Sequence, residues 1–217
     1  MNLERWLEEY IRCVTDAFSG RVVCIGLQGS RGRGEATSQS DIDMVLILDT
    51  VSPADLLRYR DLVDGLSHRE MVCGFVSGQK ELESWERGEL ASFYYDTRPL
   101  YGDLDFLLPR LCKEDLARGI HAGACALYHS CAHNLVFDRS DELAAQLQKS
   151  LFFTLRLRHL WETGEFLPTR ARLLAILPAA EAALLTGDPA SLPVQAGMLE
   201  WASQTIVRFG QRPSGSN

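Results

Sequence analysis

Long apolar runs are missing from this 217-residue chain. No stretch approaches the roughly 20 residues that a helix needs to cross a bilayer. Its start is acidic and amphipathic, without the basic region and apolar centre of a secretory signal. An excess of positive charge is missing too: 22 Lys and Arg stand against 29 Asp and Glu, for a net charge of −7, which argues against a general nucleic-acid binder. The six cysteines, at positions 13, 24, 73, 112, 125 and 131, form no C-x-x-C pair. That disfavours a disulfide framework or a zinc ribbon. Apolar neighbours, as in Val22-Val23-Cys24-Ile25 and Val72-Cys73, read as buried reduced thiols in a reducing cytoplasm. No internal repeat and no low-complexity segment occurs. What remains, 46% hydrophobic and 24% charged residues, is the composition of an ordinary globular protein.

Periodicity divides the chain in two. Leu3, Trp6, Leu7, Tyr10, Ile11, Val14 and Phe18 recur at helical spacing, so residues 2–18 read as an amphipathic helix ended by Ser19-Gly20. Val22–Leu27 and Asp41–Leu48 read as strands, and Ser52-Pro53 as the cap and first residue of a helix to about Leu66. Glu70–Val76 reads as a third strand, Gln79–Tyr94 as one helix and Arg98–Tyr101 as a short fourth strand. Beyond Pro109 the pattern is almost wholly helical, with breaks at 138–140, 164–168 and 186–189 and a division at Pro178. The expectation is α+β: a small mixed sheet with flanking helices over residues 1–108, an all-α helical bundle over 109–211, and a disordered tail at 212–217.

One polar stretch organises the first part. Residues 29–43, GSRGRGEATSQSDID, begin as one apolar run ends and close on two aspartates that open the next. Residues i and i+2 of a strand share a face. Asp41 and Asp43 therefore project together while Ile42 points into the core. Adjacent carboxylates repel unless a cation lies between them, and Mg²⁺, which prefers carboxylate and phosphate oxygens, is the economical choice. The Gly29-Ser30 turn offers small residues and backbone N–H groups to a phosphate.

Gly29-Ser30, a nine-residue spacer and Ser40-Asp41-Ile42-Asp43 together resemble the signature of the DNA polymerase β-like nucleotidyltransferase superfamily. Within it, the chain is most similar to the small bacterial and archaeal enzymes that include aminoglycoside and minimal (MNT-type) nucleotidyltransferases. The resemblance implies a polymerase β-like head with a C-terminal helical domain of substrate-binding type. It also implies a Mg²⁺ site, most readily a two-metal one, and ATP or another nucleoside triphosphate as donor. Asp41 and Asp43 match the first two metal-binding carboxylates, and Gly29 and Ser30 match the turn that grips phosphates. Arg31 follows directly and is placed to neutralise them.

A third carboxylate is expected from a neighbouring strand. Glu70 is the candidate, at the start of the third strand, as metal ligand or general base; Glu81, Glu83 and Asp96 are the fallbacks. In the bundle, Lys149 is a candidate to reach the triphosphate, and Tyr128 and His129 are candidates to line an acceptor cleft. His129 and His133 share a helix face, but Ser130 rather than Glu follows His129, so the pair lacks the H-E-x-x-H zinc pattern. Phe152, Phe153, Leu155 and Trp161 read as core. Arg156, Arg158, Arg170 and Arg172 read as helix-surface charge or a basic rim.

The function expected is transfer of a nucleoside monophosphate, AMP from ATP, to a hydroxyl of a small molecule or protein, in the cytoplasm. No general nucleic-acid or membrane partner is expected, and a homodimer would suit a small cleft. The second reading is a non-catalytic nucleotide sensor or antitoxin-like protein-binding module.

Overall fold

A computed structural model describes residues 2–210; the expected tail, 212–217, lies outside them. The chain divides into two compact units. One runs through Glu86 and includes Phe93–Arg110; the other comprises Arg87–Ser92 and the chain from Leu111 onward.

In the first unit, α1 (Leu3–Ala17) opens on Asn2, whose side-chain oxygen accepts from the Arg5 N–H at 3.2 Å and so satisfies one free helix-terminal donor. The sheet has the order β3-β2-β1-β4, with β1 at Val22–Leu27, β2 at Ile42–Leu48, β3 at Val72–Gly78 and β4 at Arg98–Gly102. Strands β1 and β2 are antiparallel, β1 and β4 are antiparallel, and β2 and β3 are parallel. The alternation along β2 sends Ile42, Met44, Leu46 and Leu48 to one face. There they join Trp6, Leu7, Tyr10, Val14 and Phe18 of α1 and its end in one buried core. Complete burial of a Leu or Val contributes about 1.5–3 kcal/mol, so this apolar stripe fixes α1 against the sheet. The opposite face carries Asp43.

Between β1 and β2 lies a short helix, α2 (Gly29–Arg33), where the sequence reads as an open turn. Helix α3 (Pro53–Asp64) begins with Ser52 and Asp55 capping each other and with Pro53 in the first turn. Arg21, just before β1, reaches across to Asp49, Thr50 and Asp55. The expected helix 79–94 is in fact two, α4 (Gln79–Glu83) and α5 (Arg87–Asp96). Ser84 closes the first by donating its N–H to the carbonyls of Lys80 and Glu81, and the apolar spacing runs on across that break without marking it.

The second unit is helical among its described residues. Helix α6 (Lys113–His133) continues into a π-turn at Asn134–Asp138, followed by α7 (Asp141–Thr163), α8 (Arg170–Leu174), α9 (Ala179–Thr186) and α10 (Leu192–Gly210). Its core gathers Leu127, Leu151, Phe152, Leu155, Met198 and Trp201. Two arginines expected at the surface turn toward it, Arg156 buried and Arg158 partly so. Arg156 is only 2% exposed, its guanidinium over the rings of Phe152 and Phe166 and its Nε on the Leu167 carbonyl. Arg158 grips Glu181 through two nitrogens at 2.5 and 2.6 Å, and Trp201 donates to the same carboxylate. A bidentate pair of this kind satisfies charges that burial would otherwise penalise, so these arginines build the unit and do not form a rim. Arg170 likewise turns inward, to Gln148 and to the Leu185 carbonyl.

Candidate functional site

The site forms where β1 hands over to α2 beside the start of β2. The Gln28 N–H donates to the Asp43 carbonyl at 2.8 Å, which holds the end of β1 level with the second aspartate. The next residue, Gly29, has φ +66, and a Cβ there would lie 1.8 Å from Asp43 Oδ2. Only glycine accepts both the left-handed backbone and that approach. The carboxylate of Asp43 is therefore seated directly on the Gly-Ser turn, on the face of β2 away from the core. Asp41 is exposed just ahead of the strand, and Ile42 between them is fully buried.

Arg31 does something other than expected. Its Nε and Nη2 donate to the Ser40 carbonyl at 3.1 and 2.7 Å, and Nε also to the Asp41 carbonyl at 3.0 Å. The guanidinium thus fastens the residues that present Asp41 to α2, as hydrogen bonds from a charged donor do strongly. Arg33 is ion-paired with Glu35 and Asp96 at 3.2 and 3.3 Å, its side chain 9% exposed; it too serves the loop's architecture. Gln28 extends its amide to Thr97 Oγ1 at 2.7 Å, tying the turn to the approach of β4.

The expected third acid is not brought to this pair. Glu70 lies in a 3₁₀ turn, Arg69–Met71, and β3 starts only at Val72. Its side chain is 74% exposed, with His68 Nδ1 3.8 Å from its carboxylate. His68 itself takes a left-handed backbone, φ 59, which turns the chain before the strand can begin. Of the fallbacks, Glu83 is bonded to Arg110 and Gln79, Asp96 to Arg33, and Glu81 lies against Gly78. Among the described residues, no three His, Cys, Asp or Glu side chains group closely enough to hold one ion.

What stands beside Asp43 is a thiol. Parallel pairing puts Cys73 in register with Asp43, and its Sγ–H donates to Asp43 Oδ1 at 3.0 Å. Cys73 is exposed, whereas Cys24, as its apolar neighbours suggest, and Cys131 are buried; burial pushes the Cys24 thiol up to about 12 and the Cys131 thiol to about 11. Beyond Cys73, Gly74 (φ +147) faces the backbone of Met44, where a Cβ would meet the carbonyl oxygen at 1.8 Å. That glycine allows β3 to close against β2 and so sets the register. Next along the same face as Cys73, Phe75 packs on Trp85 and Phe93.

In the second unit, Lys149 is exposed on α7, and Tyr128 and His129 are exposed on α6. The His129 and His133 rings stand 6.1 Å apart, and His133 Nδ1 lies 3.0 Å from Asp138.

Residues 7–107 match the family model described as "Nucleotidyltransferase domain". No curated protein matches the chain. Among solved structures, spectinomycin adenyltransferase AAD(9) from Enterococcus faecialis, determined with ATP and spectinomycin, matches at a TM-score of 0.57 and 13% identity. That match covers 96% of this chain and 99% of the other, so the likeness of fold extends through both units.

Proposed function

We propose that this chain, whose residues 7–107 are a nucleotidyltransferase domain of the DNA polymerase β-like kind, transfers AMP from ATP to a hydroxyl of a small molecule or a protein. The observation that carries the reading is the seating of Asp43 on Gly29. A carboxylate against a glycine turn is the arrangement that a single metal-chelated triphosphate would call for.

Magnesium fits the donors present. Two carboxylates, with phosphate oxygens and water to complete the shell, are the set that Mg²⁺ ordinarily takes. Bound there, it would offset phosphate charge and orient the α-phosphate for in-line attack. Asp41 and Asp43 would hold it. Ser30 and the Gly29 turn would receive the β- and γ-phosphates through N–H and hydroxyl donors. Arg31 would act one step back, by fixing the carbonyls of Ser40 and Asp41. Lys149, Tyr128 and His129 enter only as exposed groups of the right chemistry: a cation for phosphate, a phenol and an imidazole for a polar acceptor. The net charge of −7 suits a cationic acceptor, and the structural relative was determined with both ATP and spectinomycin.

The second reading, a nucleotide sensor without turnover, draws on one observation: a thiol and not a carboxylate adjoins Asp43. Release of pyrophosphate from each nucleoside triphosphate, with Mg²⁺ and a panel of hydroxyl acceptors, separates the two. The enzyme reading expects turnover that Asp43→Asn lowers by at least about a hundredfold, the scale on which electrostatic transition-state stabilisation is lost, and that Glu70→Gln leaves within a few-fold. Binding without turnover across the panel would favour the sensor.

A further inference from the structure

The Asp43 face of the sheet carries an aromatic cluster that the proposed chemistry does not use, all of it within the first unit. Parallel pairing sets Val45 level with Phe75, two residues past Asp43 and Cys73. Val45 is buried, and Phe75 packs on Trp85 at 5.4 Å, edge to face, and on Phe93 at 4.9 Å. Two residues along a strand and one strand across put the Phe75 Cα roughly 8 Å from that of Asp43. The cluster also meets the phosphate turn from its other side. Gln28, directly before Gly29, donates its amide to the Phe93 carbonyl at 3.4 Å and to Thr97 Oγ1 at 2.7 Å. Thr97 Oγ1 in turn donates to the same carbonyl at 2.6 Å. Trp85, although braced by Phe75, remains 41% exposed. A large ring held in place and not sunk into a core keeps π surface in solvent.

We propose that Trp85, backed by Phe75 and Phe93, is the stacking platform for the adenine ring of the donor nucleotide. The inference rests on the reading of Asp43 and the Gly29-Ser30 turn as the triphosphate site. With the phosphates held there, the ribose spans the step from Asp43 toward Phe75, and the base arrives over the aromatic cluster. Adenine is flat and presents a π face, so an indole receives it without a matched set of hydrogen bonds. The bonds from Gln28 make the position of Phe93 follow that of the turn, so base and phosphates are held in register by one piece of structure. Preference between bases then comes from stacking strength, which favours the larger purine over a pyrimidine.

Calorimetric binding to the full chain, with Mg²⁺ and without acceptor, tests it with two probes. One is ATP; the other is inorganic tripolyphosphate, which carries the phosphates without a base. Trp85→Leu keeps an apolar side chain and removes the ring. It is expected to weaken ATP by about 5- to 150-fold, the range for loss of one base–aromatic stack, and to leave tripolyphosphate within about twofold. Trp85→Phe should restore most of the ATP affinity, and the advantage of ATP over UTP should shrink in Trp85→Leu. Asp43→Asn should weaken both probes alike. Equal loss of both probes in Trp85→Leu would show that the ring only supports the turn, and would overturn the platform. Unchanged ATP binding in that variant overturns it too, including the case in which the KM of an acceptor alone rises. Failure of wild type to bind either probe in a way that depends on Asp43 overturns the triphosphate reading beneath it as well.

Discussion

At the scale of single residues, the site depends on one contact that leaves no room for change. Gly29 combines φ +66 with an approach to Asp43 that a Cβ would bring to 1.8 Å. Alanine there must distort the turn or push the carboxylate away. The expected cost to stability is about 1–3 kcal/mol, the range for a strained backbone position, read as a lower urea midpoint. Mg²⁺-dependent nucleotide binding should be lost with it, whereas Gly34→Ala, with φ +75 but nothing within 4 Å of its Cβ, should strain the fold and spare binding. The turn at Gly29-Ser30 and the strand position of Asp43 were legible in the sequence because their signals are local, small residues just after one strand and alternation along the next, although β2 begins at Ile42 and leaves Asp41 just ahead of it. Cys73 was not legible, because its place beside Asp43 follows from parallel pairing across thirty residues. Nothing near position 73 announces that pairing, and its apolar neighbours suggest a buried thiol. Glu70 misled for a related reason: the left-handed turn at His68 delays the strand, so a carboxylate that reads as a strand residue sits in a 3₁₀ turn.

At the scale of elements, the β1–α2–β2 loop is held by two arginines of α2, of which Arg31 reads, in sequence, as phosphate binding. Arg31 ties α2 to the Ser40-Asp41 backbone, and Arg33 ties it to Asp96. Arg21 does the same at the opposite end of the sheet, where it meets Asp49 at 3.1 Å and Asp55 at 2.7 Å. Hydrogen bonds from Arg21, then from Ser52, hold the Asp55 carboxyl well below the usual range. A carboxylate whose pKa is lowered by folding stabilises the native state above its unfolded value, about 3.9 for Asp, and that contribution fades as pH falls through the folded value. Asp55→Asn should therefore lower the urea midpoint at pH 7 and flatten its fall below about pH 4. An unchanged acid limb would show that the cap and ion pair are not formed as described. The helices of the second unit were legible by period and by Gly and Pro breaks, as at Gly164 and Pro178. The break between α4 and α5 was not, since neither Gly nor Pro marks residues 84–86.

For the whole molecule, fold and active-site chemistry rest on different supports. The likeness to an adenyltransferase runs through both units at 13% identity, a level at which architecture persists while side chains are largely replaced. Function therefore has to be argued from the site, and the central claim is that Asp41, Asp43 and the Gly29-Ser30 turn bind a metal-chelated triphosphate. Thermal unfolding of wild type and of the Asp41→Asn/Asp43→Asn variant, with each of the four nucleoside triphosphates and with or without Mg²⁺, tests it most directly. A ligand at a hundred times its dissociation constant adds about 2.7 kcal/mol to the folded state, and about 2–4 °C per kcal/mol is expected for a chain of this length. Wild type should gain several degrees with ATP and Mg²⁺ together, and the double variant should gain none. Equal stabilisation of both proteins, or stabilisation indifferent to the divalent cation, would contradict the account.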